Sequence, residues 1–192
     1  VGMDGIIQYI FPNEKYDEIN KLKFQAYIKD NHIYFVEYDE VISSVIKYAK
    51  YTRHPASFVQ IGHEMGVILK DMCVSADNVI YVPMHVKDQA KRGFNQSLIL
   101  ARKISECTGI PICHKALKKN KKTLHQASLS ASLRGRNLAG AFVADDRYTA
   151  GRSFILVDDI YTTGTTLNQC RKVLLEKMAK SVLLATITKR II

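Results

Sequence analysis

Two adjacent carboxylates, Asp158 and Asp159, follow the apolar run Phe154-Ile155-Leu156-Val157. They precede a loop of hydroxyls, Thr162, Thr163, Thr165 and Thr166, set around Gly164. Ionised carboxylates only accept hydrogen bonds, so a neighbouring pair suits two hydroxyl donors. A turn that passes through glycine into a helix offers free backbone N–H groups and a partial positive charge to an anion. Together these residues point to a ligand with vicinal hydroxyls and a phosphate, that is, a phosphorylated ribose. An ordinary strand–turn–helix with a threonine N-cap draws on the same residue types. The full ordered string, apolar run, two acids, two spacers and Thr-Thr-Gly-Thr-Thr, is far less common by chance.

The elements that must position this string are legible around it. The run Phe154–Val157 has no polar face, as expected of a strand buried on both sides of a parallel sheet, and its acids stand where such a strand leaves the sheet. Ligands of open α/β sheets bind beyond the carboxyl ends of strands. From Leu167 a helical pattern runs through Val173, Leu174 and Met178, and Val182 to Thr188 reads as a final strand. Upstream, Gly5–Phe11 and Ile33–Val36 read as strands, and Asn13–Asn31 as a helix or a second strand. Asp39 is a credible N-cap for a helix through Val41, Ile42, Val45, Ile46 and Ala49. His54-Pro55 breaks it, and Phe58 to Met72 gives a second amphipathic helix. Val79–Val82 is a core strand stopped by Pro83, Asn95–Thr108 a helix, and Ile112–Leu117 the next strand. Strands alternating with helices imply a mostly parallel α/β sheet.

Composition narrows the class. A chain of 192 residues, 47% hydrophobic, buries one sizeable core with at most a small appendage. Its formal net charge of +10 favours anionic ligands or nucleic acid. Cys73, Cys107, Cys113 and Cys170 are scattered with no Cys-x-x-Cys, which argues against a zinc site and a disulfide framework and for a reducing cytoplasm. No apolar run approaches the ~20 residues that span a bilayer, and no signal-peptide pattern opens the chain. Neither a Gly-x-Gly-x-x-Gly fingerprint nor a Walker-type loop occurs, which counts against dinucleotide and P-loop readings. Between Cys107 and Ala144 no acidic residue occurs, and the middle, Asn120 to Gly140, reads as a long mobile loop or a loop containing short secondary structure, of a length more often functional than incidental.

The acid–threonine string resembles the phosphoribosyl-pyrophosphate (PRPP) binding signature of the type I phosphoribosyltransferases. Three further stretches are similar to the ComF competence-protein family of phosphoribosyltransferase-like proteins. They are Tyr81-Val82-Pro83-Met84-His85, Lys91-Arg92-Gly93-Phe94-Asn95-Gln96-Ser97, and Gln126 with Leu129-Ser130 and Arg134-x-x-Asn137-x-x-Gly140-Ala141-Phe142. The Arg-Gly-Phe-Asn-Gln block is the most family-specific of them, and the resemblance covers about Ile33 to Arg190. Family members commonly carry an N-terminal zinc-binding cysteine cluster. This sequence has none, so no zinc site is expected in it.

The resemblance implies an α/β, type I phosphoribosyltransferase-like fold, with a mostly parallel central sheet flanked by helices. Residues 1–31 would form a poorly determined N-terminal segment or hood, and 32–192 the phosphoribosyltransferase-like domain. Asp158 and Asp159 would accept from the ribose hydroxyls. Thr162, Thr163, Gly164, Thr165 and Thr166 would wrap the 5′-phosphate. Pro83-Met84-His85 would cradle pyrophosphate, with a strained or cis non-proline peptide near Met84 or His85. His85 reads equally as a pyrophosphate contact or a polar loop residue. Arg92 is expected to pair with pyrophosphate rather than to be a solvated surface arginine. Arg134 would reach the diphosphate from a mobile flap that also carries Gln126 and Asn137. Mg²⁺ would arrive with PRPP and meet Asp158 and Asp159 only through it. No general base or nucleobase reader stands out. Tyr34, Phe35, Tyr48 and Tyr51 read as core before they read as a stacking surface.

The expected function is transfer of ribose 5-phosphate from PRPP to a base or amine, with Asp158, Asp159, Arg92 and Arg134 as the catalytic set. A non-catalytic competence factor that handles single-stranded DNA and a PRPP-sensing regulator are the alternatives. PRPP and pyrophosphate are the expected partners. Single-stranded DNA, competence proteins and a second copy of the chain are further candidates, and a membrane is not.

Overall fold

After Glu37 the hydrophobic period lengthens from two to about 3.6, and the backbone changes with it. The computed structural model describes residues 18–52, 55–120 and 140–190. Strands β1 (Tyr27–Lys29) and β2 (His32–Glu37) form an antiparallel pair. Helix α1 (Glu40–Tyr51) follows, and the Asp39 carboxylate accepts from the Ile42 N–H at 2.9 Å as its N-cap. Pro55 then opens α2 (Ala56–Asp71), which leads to β3 (Asn78–Tyr81).

A short helix, α3 (Val86–Arg92), and α4 (Gln96–Thr108) come next, α4 capped by Asn95. A two-stranded antiparallel ribbon pairs β4 (Leu117–Lys119) with β5 (Phe142–Ala144). After the single turn α5 (Asp146–Thr149), β6 (Ser153–Tyr161), α6 (Thr165–Glu176) and β7 (Ser181–Lys189) complete the described chain.

The main sheet has the order β1-β2-β7-β6-β3, parallel throughout except for β1. The expected architecture, a mostly parallel central sheet flanked by helices, is the one observed. Alternate residues of each strand face opposite layers, as the period of two requires. Ile155, Val157, Ala185 and Ile187 face α1, α2 and α4. Phe154, Leu156, Val182 and Leu184 face α6 and the β4–β5 ribbon. Buried on both faces, β6 reads as an unbroken apolar run. Ile19 belongs to the first layer's core.

Three readings of the sequence need correction, and one helix adds to them. Ile112–Leu117 is not a sheet strand. Ile112 makes one parallel bridge to Val79, and the turn at His114-Lys115 sends Leu117 into the separate ribbon. Strand β6 does not end before the acids but carries them, staying paired with β7 as far as Tyr161. Met178 lies beyond the C-cap of α6, in a left-handed conformation (φ 62°) and 69% exposed, so it is not part of that helix's buried face. The charged stretch after Pro83 also forms a helix, α3, that the sequence reading did not contain. Gly93 ends it at φ 88°, a conformation that favours glycine.

Gly5–Phe11, His54, and the loop with Gln126, Arg134 and Asn137 lie outside the described residues. Among the described residues no helix is long and apolar enough to cross a membrane.

Candidate functional site

The end of β6, the turn after it and the start of α6 make one wall of a pocket of about 220 Å³. Lys50 makes part of another. Gly164 is the N-cap of α6 at φ 71°, and no side chain caps that end. The first turn's N–H groups, which lack intrahelical partners, therefore stand at the pocket. A Cβ on Gly164 would fall on the Tyr161 hydroxyl, so close packing as well as backbone conformation demands glycine here. The Thr163 and Thr165 hydroxyls are 2.7 Å apart across the turn.

The two acids differ in environment. The Asp158 Oδ1 accepts from the Ser97 hydroxyl at 2.7 Å, a contact from the first turn of α4. Burial and the neighbouring Asp159 charge push its carboxyl up to about 7, against the pull of Ser97 and Lys50. Asp158 keeps some contact with the pocket, whereas Asp159 is 5% exposed. Burial would raise Asp159 as well. The ion pair with the Lys50 ammonium outweighs it and holds this carboxyl below the usual aspartate range. Lys119, at the end of β4, is lowered by its own burial, and the charges of Asp88, Cys170 and Asp158 oppose that shift.

Behind the turn from Thr162 to Gly164, Tyr161 stacks on His32 at 4.7 Å between ring centroids, and the Lys189 ammonium lies 5.3 Å from the Tyr161 ring centroid. His32 is 4% exposed and its Nε2 is 2.8 Å from the Thr186 hydroxyl, while its Nδ1 is buried without a partner. Burial, reinforced by Lys189, lowers its pKa to about 4, so the ring is neutral at physiological pH.

Of the residues expected at the site, Asp158, Asp159, Thr162, Thr163, Gly164, Thr165 and Thr166 share this pocket. Met84, His85 and Arg92 do not line it. The Arg92 guanidinium donates to Gln96 Oε1 at 3.0 Å. His85 is the N-cap of α3, its Nδ1 accepting from the Lys87 N–H at 3.2 Å. Among the described residues no peptide is cis, and Met84 and His85 are not among the residues with positive φ. Extended geometry at the cap (φ −66°, ψ 141°) makes the turn there without strain. Arg134 lies outside the described residues.

Sequence reasoning missed Lys50 and Ser97. Lys50 follows Ala49 in the last turn of α1, where a lysine is already accounted for by the helix dipole. Ser97 had a visible signal: the polar triplet Asn95-Gln96-Ser97 lies in the family-specific block. All three residues are buried, and Asn95 Nδ2 also donates to the Val82 carbonyl at 3.1 Å. The block thus braces the ends of β3 and β6.

The donors do not make a divalent-ion site held by the protein alone. Asp159 is ion-paired, Asp158 is hydrogen-bonded, and among the described residues no cluster of three His, Cys, Asp or Glu converges. They fit Mg²⁺ only as an ion carried on a ligand's own oxygens.

No protein-family model matches the chain. The DNA utilization protein YhgH of Escherichia coli (strain K12) is 35% identical over 106 residues, 55% of this chain and 46% of that protein. Competence protein F of Haemophilus influenzae is 38% identical over 99 residues, 50% of this chain and 43% of that one. Competence protein ComFC of Bacillus subtilis (strain 168) is 30% identical over 99 residues, 52% of this chain and 38% of that one. The chain thus matches less than half the length of each of these relatives.

Among solved structures, the glutamine PRPP amidotransferase from B. subtilis is 22% identical at TM-score 0.47, over 68% of this chain and 26% of that one. Adenine phosphoribosyltransferase from Saccharomyces cerevisiae is 13% identical at TM-score 0.47, over 91% and 89%. Over the matched span the chain is similar to the ComF-type competence proteins, as the stretches Tyr81–His85 and Lys91–Ser97 led us to expect.

Proposed function

We propose that the chain is a ComF-type, phosphoribosyltransferase-like protein that binds PRPP in the pocket at the end of β6. The observation that carries this reading is the convergence of two carboxylates and a glycine-capped helix start on one pocket of about 220 Å³. Ribose hydroxyls would donate to Asp158 and Asp159. The 5′-phosphate would sit against the N–H groups of residues 165–167 and the hydroxyls of Thr162, Thr163, Thr165 and Thr166.

Mg²⁺, carried on the diphosphate and ribose oxygens, would neutralise leaving-group charge. The acceptor's lone pair would form the new bond to the anomeric carbon as the bond to the pyrophosphate oxygen breaks and pyrophosphate leaves with that electron pair. The protein's own share is positioning, charge stabilisation around an oxocarbenium-like ring, and exclusion of water. The acceptor in this reading is a base or amine.

Thermal-shift titration with PRPP and Mg²⁺ tests the reading. Saturating ligand should raise the apparent stability by about 3 kcal/mol at a hundredfold excess over Kd, and Asp158→Asn should abolish the shift. An unchanged melting curve for the wild type at saturating PRPP overturns it.

A second reading, handling of single-stranded DNA, rests on the names of the relatives and on an open hollow of about 380 Å³ lined by Lys115, Lys118 and Lys177, with Asp145 and Asp146 at its side. Single-strand affinity that falls steeply with salt and grows with strand length supports it. Weak, length-independent binding removes it.

A further inference from the structure

Lys50 is the one cation among the described residues that line the pocket with Asp158, Asp159 and the turn 162–167. Helix α1 fixes its position. Ile42, Val45, Ile46 and Ala49 are buried against the sheet, so the helix cannot rotate without exposing them. Lys50, the next residue, is carried to the edge of that buried face. Its side chain is 19% exposed and that of Asp159 7%, and ammonium and carboxylate meet through Asp159 Oδ2. A pair this sheltered is screened far less than a surface one.

The charge inventory of the pocket gives the pair a purpose. Two carboxylates that accept from ribose hydroxyls also repel the phosphate the same ligand carries. Some cation must offset that repulsion within a few ångströms of the acids. Divalent ions are one source of it. Lys50 is a permanent one: an ammonium has three donors, so its bond to Asp159 leaves protons for ligand oxygens. The carboxylate of Asp159, with two oxygens, likewise keeps acceptor capacity for a hydroxyl.

We propose that Lys50 is a ligand-contacting residue that serves as the built-in cation of this pocket, so that a ribose phosphate is held there without a divalent ion. The inference rests on the reading of the pocket as a ribose-phosphate site, and its test separates the two.

Isothermal titration of the full chain with ribose 5-phosphate, in excess EDTA and in saturating Mg²⁺, compares wild type with Lys50→Met and Lys50→Arg. The wild type should bind in EDTA with an affinity within about threefold of that in Mg²⁺. Lys50→Met should lose about tenfold in EDTA and recover most of it in Mg²⁺, while Lys50→Arg stays near wild type. Wild-type binding that vanishes in EDTA but persists in Mg²⁺ overturns the role of Lys50 and leaves the pocket reading intact, and this arm holds even if Lys50→Met does not fold. Lys50→Met binding as tightly as wild type in EDTA overturns it too. Absence of binding in both media overturns the pocket reading and the inference together.

Discussion

The Ser97 hydroxyl donates to Asp158 Oδ1 at 2.7 Å, joining the first turn of α4 to the end of β6 across 61 residues of sequence. That bond pulls the Asp158 carboxyl down against burial and against Asp159. Ser97→Ala should raise the Asp158 pKa further, by about one unit if the bond is worth the usual amount for a charged acceptor. Ligand affinity should fall several-fold, because a protonated, unbraced carboxyl is a poorer acceptor. Carbon-detected NMR titration of the carboxyl checks the first effect and calorimetry with ribose 5-phosphate the second. An unmoved Asp158 titration would show that Ser97 is packing alone.

Asp158 and His32 make opposite contributions to the dependence of stability on pH. Asp158 is raised to about 7, so between its ordinary value of 3.8 and 7 the folded chain holds a proton the unfolded chain has lost, and stability falls as pH rises. His32 is lowered from 6.5 to about 4, so in that interval the unfolded chain holds the extra proton, and stability rises with pH. Each slope approaches about 1.4 kcal/mol per pH unit at most. The lowered Asp159 adds stability that is lost only as pH falls through its own depressed value. The wild type should therefore be nearly flat between pH 4 and 6.5, the interval over which the two shifts overlap. Asp158→Asn should unmask the His32 term and make stability climb with pH. Denaturant melts at a series of pH values decide it, and parallel curves for wild type and variant would count against the Asp158 shift.

Glycines one helical turn apart let α2 and α4 approach closely. A Cβ at Gly66 would lie 2.8 Å from the Cys107 Cβ and 3.1 Å from the Ile104 Cα. At Gly62 it would lie 3.0 Å from the Lys103 Cβ and 3.1 Å from the Leu100 Cα. In a helix interior Gly→Ala ordinarily stabilises by up to about 1 kcal/mol. Here overpacking costing about 1–3 kcal/mol should reverse the sign at Gly66. The melting temperature of Gly66→Ala should drop by several degrees, at about 2–4 °C per kcal/mol for a chain of this size. The change at Gly62, where the contacts are looser, should be smaller. A rise in melting temperature at Gly66 would mean that the helices part without cost.

The half of the site that is local in sequence was legible, and the half that depends on packing was not. Phe154 to Thr166 shows strand, acids and turn in one stretch, because a doubly buried strand, a carboxylate pair and a glycine-capped helix each leave their own residue signature. Lys50 leaves none. A lysine at the end of a helix satisfies the dipole, and only the docking of α1 on the sheet turns it towards Asp159. The expected strand at Ile112–Leu117 failed for a related reason. The run is apolar enough to pair, but the turn at His114-Lys115 gives its second half to the ribbon. At Met84 and His85 the expected backbone strain was replaced by a helix cap, since α3 needs His85 to hold the Lys87 N–H.

The middle strand of the five-stranded sheet is β7, which is also the last of the described strands to be synthesised. Its neighbour β2 lies about 150 residues earlier, and the Leu184 N–H reaches back to the Asn31 carbonyl at 2.8 Å. On a ribosome, β1 and β2 must wait beside β3 and β6 without the strand that joins them. Closing such a distant pair carries a large entropic cost before its contacts compensate. Assembly of the sheet is thus a late, concerted step, and the nascent chain exposes two unzipped apolar edges until it occurs. The ligand pocket is tied to the same step, because Lys50 follows β2 on α1 and Asp159 lies on β6, on the two sides of that central gap.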